Sequence, residues 1–335
     1  MEKNKPLRIG VVLTLVFVLI FGLVFLIFNL AKKSGSNKDI EIVTTNFAAY
    51  DFARALTDGV DKSQVDIKML LKPGSEAHSY EPTPQDIAEI SKADLFVYNG
   101  GESEQWVEKL IEGSEIDKNS TVRMMDLVEL KAEDDLAGEN IRSGDAGASD
   151  ESIDAPDKGD EYDEHIWTSP KNDMVLVEKI GQKLAEKLPD YAKVFRANAE
   201  SYKNEFSDID RELQKVVANA KRRELIFADR FPFKYLVDDY GLDYMAAFPG
   251  CSEQTEASSA VIAELIEKVR NDQLGTVLKI ELTSDALAKV VAEATDARIL
   301  TLYSAHNVSQ EDFDSGRTLA DMMRDNLVVL GEALN

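Results

Sequence analysis

Apolar positions in this 335-residue chain recur first with period two over short runs, then with period three to four over longer ones. The alternation breaks off once and then resumes to the end of the chain. Ile40–Thr44 is a β-branched run that reads as a first strand, and Thr45 or Asn46 can cap a helix over Phe47–Leu56. Residues 65–70 alternate polar and apolar side chains and close in Leu70-Leu71, which predicts a buried strand; Lys72-Pro73-Gly74 breaks it. Thr83 can cap the next helix, residues 84–91, with Asp86 as its carboxylate partner. Leu95–Tyr98 is a strand running into Asn99-Gly100-Gly101, residues 104–111 are helical, and residues 121–125 read as a further strand. Strands alternating with helices at this spacing predict an α/β fold with a mainly parallel sheet and helices on both faces.

The pattern then stops and restarts. Residues 133–164 carry thirteen acidic side chains against Arg142 and Lys158, with Gly, Ser and Ala filling most of the rest. Such a stretch cannot bury enough apolar surface to offset its ordering entropy, so a solvated acidic loop is expected. Residues 190–220 contain neither Gly nor Pro, and their apolar positions, from Tyr191 and Phe195 to Leu213 and Val217, fall mostly three or four apart. One amphipathic helix of about 45 Å is predicted, long enough to act as a strut between two lobes. A second α/β series follows, with strands over 224–228, 243–247, Thr276–Ile280 and Arg298–Leu302. Helices are expected over 233–240, 258–271, 285–294 and 318–334. The chain thus divides into a leader and linker (1–38), an α/β lobe (39–185) carrying the acidic loop (133–164), a linking helix (186–222) and a second α/β lobe (223–335). A cleft between such lobes is a preferred place for a small ligand.

Charge narrows the function. The formal net charge is -24, which argues against nucleic acid, since phosphate binding needs a basic footprint. The single cysteine, Cys251, excludes an internal disulfide framework and a multi-cysteine zinc module. Lys3, Lys5 and Arg8 precede an apolar run over residues 9–31, followed by Lys32-Lys33 and a polar linker. The run is longer than a signal-peptide core and long enough to span a bilayer. The expectation is an uncleaved membrane anchor, with secretion after signal cleavage as the alternative, and everything from about residue 39 outside the cytoplasm.

The chain has three histidines, and all lie in polar loops. His78 follows the strand at 65–70, His165 sits in Asp163-Glu-His-Ile-Trp167 at the far end of the acidic loop, and His306 follows the strand Arg298–Leu302. A lone histidine is more often structural than ligating, but here none is spent elsewhere. Three imidazoles from both lobes suit Zn²⁺, with Mn²⁺ as an alternative. The fourth position could fall to Asp229, Glu281, Cys251 or a water. Arg230 would repel a cation if it faced one, and is expected to pair with Glu281 or Asp229.

Gly74-Ser-Glu-Ala-His78-Ser-Tyr-Glu-Pro-Thr-Pro-Gln-Asp86, with Ser91-Lys-Ala-Asp-Leu-Phe-Val-Tyr-Asn-Gly100, resembles the first-ligand block of the zinc/manganese-binding proteins of ABC importers. Asp163-Glu-His165-Ile-Trp167-Thr-Ser-Pro170 is similar to the second-ligand block. The resemblance runs from about residue 40 to 335 and reaches the zinc-like branch, whose acidic loop is usually histidine-rich. It implies two lobes around a backbone helix, a metal held between them as cargo, and delivery to a membrane permease. No catalysis is expected, the charge leaves no nucleic-acid partner, and a monomer is expected. Two departures stand out: the family's third ligand matches Arg230, and the fourth falls near Ala305. The ligand set expected here is therefore His78, His165 and His306. A zinc-dependent hydrolase using Glu281 as base, and a surface adhesin without ligand, are the competing readings.

Overall fold

The computed structural model describes residues 40–76, 79–113, 116–133, 162–250 and 257–335. The leader, His78, most of the acidic loop and Cys251 lie outside the described residues. Among those described, no helix is long and apolar enough to cross a membrane. Ile40 and residues 61–66 form a small unit, in which the Gln64 carbonyl accepts the Ile40 N–H at 2.6 Å. Asp61 Oδ1 there accepts both the N–H and the hydroxyl of Ser63 at 2.9 Å. Residues 41–60 and 67–335 belong to a larger unit, which holds two lobes.

The first lobe runs β1 (Ile40–Thr44), α1 (Phe47–Leu56), β2 (Val65–Met69), α2 (Pro84–Ile90), β3 (Leu95–Tyr98), α3 (Gln105–Glu112) and β4 (Thr121–Arg123), with strand order β2-β1-β3-β4. β1 pairs with β3 and β3 with β4, both parallel. All four residues of β3 are buried, as a strand covered on both faces requires. β2, expected to be buried, is an edge strand and only half-buried; Leu70 and Leu71, just beyond it, are the residues that enter the core. The capping box of Thr83 and Asp86 forms as its spacing predicts. β4 ends two residues early, because the Met125 N–H turns to the Asn99 carbonyl at 3.0 Å and residues Met124–Leu127 coil into a 3-10 turn.

α4 (Pro170–Lys187) leads into α5 (Ala192–Ala218), the strut. Its 27 residues span about 40 Å. Phe195, Ala199, Tyr202, Phe206, Ile209, Leu213 and Val217 form its buried stripe. The helix touches both lobes. Asn198 donates to the Leu56 and Asp58 carbonyls at 2.9 and 2.7 Å, and Glu205 accepts from Arg324 at 2.6 Å.

The second lobe runs β5 (Glu224–Phe231), α6 (Lys234–Tyr240), β6 (Asp243–Pro249), α7 (Ser259–Asn271), β7 (Thr276–Ile280), α8 (Ala286–Thr295), β8 (Arg298–Leu302), α9 (Gln310–Ser315) and α10 (Leu319–Ala333). Its strand order is β6-β5-β7-β8 and its pairings are parallel. Two features matter for the site. β5 continues three residues past its expected end, taking in Asp229 and Arg230. Its register against β6 also shifts between Phe227 and Arg230, so one extra residue is accommodated there. Such a bulge re-aims the side chains that follow it.

Candidate metal centre

His165 is placed by the first lobe and sealed by the second. Gly101, three residues past the end of β3, has φ +90, and a Cβ there would lie 2.3 Å from Glu164 Oε1. Glycine is required both for the backbone conformation and for the close approach of Glu164. Asn99 donates to the Glu164 carbonyl at 2.8 Å and the Ser103 N–H to Glu164 Oε1 at 3.1 Å. Burial pushes the neighbouring Glu104 up to about 7, although the Gly100 N–H donates to it. Tyr235 of the second lobe donates to the Asp163 carbonyl at 2.9 Å, and the Trp167 indole donates to the second-lobe Ser304 carbonyl at 2.9 Å.

Asp163 sets the His165 ring. Its Oδ1 accepts the His165 backbone N–H at 2.8 Å and lies 3.2 Å from Nδ1. With the proton of the neutral ring on Nδ1, Nε2 is left as the metal-binding lone pair, the carboxylate–histidine arrangement common to zinc ligands. Burial alone would lower the imidazole pKa, but the charge and hydrogen bond of Asp163, helped by Glu164 and Glu133, more than offset it and raise it.

His306 comes from the loop after β8. Ala305 before it has φ +54, a left-handed conformation that costs a non-glycine residue about 1–2 kcal/mol. That backbone turns the Ser304 and Ala305 N–H groups onto Glu281, at 2.7 Å each, and the Ser304 hydroxyl joins them at 2.8 Å. Glu281 therefore anchors the His306 loop. Desolvation raises its pKa despite these bonds. A carboxylate holding three donors is poorly disposed to act as the base of a hydrolase.

The two described histidines converge. Their ring centres are 5.2 Å apart with the planes at 84°, and Trp167 stands 5.0 Å from the His306 ring. On a tetrahedral zinc, with Zn–N near 2.1 Å and each ring centre about 1.2 Å beyond its nitrogen, two imidazole centres would stand about 5.4 Å apart. The observed spacing fits. Both rings line a cavity of about 250 Å³ between the lobes, together with Glu76, Arg230, Glu281 and Asn307. Among the described residues, no group of three His, Cys, Asp or Glu is assembled to hold a metal. His78 lies outside them, but Ser75 and Glu76 of its loop line this cavity. That loop is tied to the His306 loop through Gly74 N–H to the Val308 carbonyl at 2.9 Å and the Asn307 amide to the Lys72 and Ser75 carbonyls at 2.9 and 2.7 Å.

Two expectations require correction. Asp229 does not reach the cleft. The bulge turns its carboxylate toward β7, where Oδ2 accepts from the Ile280 N–H at 3.1 Å and from the Thr283 hydroxyl. Arg230 pairs with neither Glu281 nor Asp229 through its side chain. Its guanidinium reaches Glu76 in the first lobe, at 3.3 and 3.5 Å. The roles of Asp163, Glu76 and Trp167 were not singled out from sequence. An aspartate two residues before a histidine is a local pattern that could have flagged Asp163, whereas the partner of Glu76 is 154 residues away.

Comparison with known proteins agrees with this fold. The model of the family described as zinc-uptake complex component A, periplasmic (ZnuA), matches residues 42–333. The zinc-binding lipoprotein AdcA of Streptococcus pneumoniae is 29% identical over 306 residues, covering 91% of this chain and 58% of that protein. The chain thus spans well under two thirds of that relative's length. The high-affinity zinc uptake system protein ZnuA of Bacillus subtilis is 27% identical over 309 residues, covering 90% of this chain and 91% of that protein. The crystal structure of the Zn(II)-bound ZnuA-like domain of S. pneumoniae AdcA superposes with a TM-score of 0.70 at 27% identity, covering 88% of this chain and 99% of that one.

Proposed function

This chain belongs to the zinc-uptake complex component A family, and from that premise we propose that it is an extracytoplasmic receptor that captures zinc between its two lobes and delivers it to the permease of an ABC importer. The observation that carries the proposal is the meeting of His165 and His306, from separate lobes, at one cavity with a ring spacing that suits a shared tetrahedral ion. His78 supplies the third imidazole. Its loop is tied to that of His306. Neutral imidazoles and the Asp163-oriented tautomer favour zinc over manganese, which prefers oxygen ligands. The protein acts by binding alone, as a monomer, and residues 9–31 anchor it to the membrane. The units of this function are the lobes at 39–185 and 223–335 and the linking helix at 186–222.

The strut limits hinge opening, so release proceeds through the loops at 72–76 and 303–308 rather than through a wide swing of the lobes. The test is a competition titration of the full chain in detergent micelles, with zinc against a chromophoric chelator. Dissociation constants well below micromolar are expected, weakened at least a hundredfold in a His165→Ala/His306→Ala double variant. Zinc binding that is micromolar or weaker, or indifferent to that double replacement, would overturn the proposal.

A further inference from the structure

We infer that Leu282 guards the mouth of this cavity: its apolar side chain keeps water off the bound zinc and so sets how fast the ion leaves. The inference rests on the receptor reading above.

Leu282 has φ +60, a left-handed backbone that bulky L residues rarely adopt. Among the described residues, three other non-glycine positions share it. Gln273 and Asp296 are polar and lie just past the ends of α7 and α8, where helices commonly finish in this conformation. Ala305 and Leu282 end no helix, and both sit beside the metal cavity. Ala305 turns the His306 loop onto Glu281, which leaves the strain at Leu282 to be explained.

That strain is fixed from both sides. Glu281, before it, is held by the Ser304 and Ala305 N–H groups at 2.7 Å each. Thr283, after it, donates to the Ile280 carbonyl at 3.0 Å and to Asp229, and Lys279 donates to the Thr283 carbonyl at 2.9 Å. The turn over residues 281–283 cannot relax without releasing bonds that hold β5 and the His306 loop.

Leu282 is out of place by polarity as well. Three apolar side chains line the cavity, those of Pro232, Ile280 and Leu282. Pro232 and Ile280 are buried, whereas Leu282 is 51% exposed, which puts it where the cavity opens to solvent. A single exposed leucine is ordinary. One that is also strained, at the rim of a binding cavity, is disfavoured on both counts and is the kind of outlier that function retains. Zinc on imidazoles leaves a position that water can take, and the ion departs as water replaces its ligands in turn. An apolar shell around a metal controls that access, and Leu282 supplies it at the rim.

The experiment is stopped-flow release of zinc from the loaded full chain in detergent micelles to excess chromophoric chelator, beside urea unfolding of the zinc-free chain. Leu282→Gly relieves the left-handed strain and opens the rim. It should unfold at the wild-type urea midpoint or above, and yet release zinc at least tenfold faster. Leu282→Asn tolerates the conformation and brings a polar group, so it should release zinc at least fivefold faster. Leu282→Met keeps an apolar chain at the rim and should stay within twofold of wild type. A leucine retained to dock a partner would leave all of these rates unchanged. Release within twofold of wild type in the Gly and Asn variants, equal acceleration in the Met variant, or a lowered urea midpoint in Leu282→Gly overturns the inference and leaves the receptor reading standing. If the wild-type chain takes up no zinc, the receptor reading falls and takes the inference with it.

Discussion

Asp163→Asn isolates the electrostatic support of the metal centre with almost no change of shape. The carboxylate accepts two hydrogen bonds from His165, at 2.8 Å from the backbone and 3.2 Å from the ring. The imidazole ring adds about 2.2 Å between its nitrogens and a Zn–N bond about 2.1 Å more, which places the carboxylate oxygen about 7 Å from an ion on Nε2. A unit charge and a dication at that distance attract by about 1 kcal/mol in bulk water and about 5 kcal/mol at an effective dielectric constant near 20. Removing an outer-shell partner of a zinc ligand generally weakens binding 10- to 100-fold, about 1.4–2.7 kcal/mol, inside that bracket. The variant also lowers the His165 pKa, which Asp163 holds up. Proton competition then falls and partly masks the loss at low pH, so the comparison belongs at about pH 8. The assay is the chelator competition on wild type and variant. Zinc affinity in Asp163→Asn within twofold of wild type at that pH would refute the assignment of Asp163 as the group that orients His165.

Four further outcomes are expected. Gly250→Ala sets a Cβ 2.9 Å from the Phe231 carbonyl oxygen and 3.3 Å from His165 Cε1; overpacking should cost about 1–3 kcal/mol in urea unfolding and displace the ring enough to weaken zinc binding. Trp167→Phe removes the bond from the His165 turn to the Ser304 carbonyl, and a loss of about 1 kcal/mol should appear in chemical denaturation together with faster zinc dissociation in stopped flow. Zinc at a hundred times its dissociation constant should stabilise the chain by about 2.7 kcal/mol, a gain that the His165→Ala/His306→Ala variant lacks in a thermal melt. Asp173 is fully buried with neither carboxylate oxygen hydrogen-bonded, and burial, then the charge of Asp51, raises its pKa well above the usual carboxylate range. Folding therefore retains a proton that the unfolded chain releases above about pH 4. The stability present in full below that pH is lost as pH rises toward the folded-state value, at about 1.4 kcal/mol per unit. Asp173→Asn should remove that dependence, so its advantage over wild type grows from pH 5 upward; a difference flat from pH 5 to 7 would show that Asp173 ionises normally.

Local chemistry along the chain determined a large part of this protein. The absence of Gly and Pro from the stretch that became α5, with apolar residues three and four apart, suffices for a long amphipathic helix whatever it packs against. Thr83 with Asp86 closes a capping box between neighbours, and the β-branched run of β1 and the fully apolar β3 are strands by short-range pattern. The location of His165 and His306 in loops was legible for the same reason. Tertiary structure decided how the site is wired. The shift in β5 that sends Asp229 to β7 and Arg230 to the cavity is a matter of register against β6 and β7, and no local propensity encodes it. The bonds from Arg230 to Glu76, from Trp167 to Ser304 and from Asn307 to Lys72 join residues more than a hundred positions apart. Periodicity reports on the turn or pleat a residue belongs to, over a few ångströms of chain. A metal centre is set by where separate loops are carried by rigid sheets and by the strut between them, and that distance exists only once the whole chain has packed.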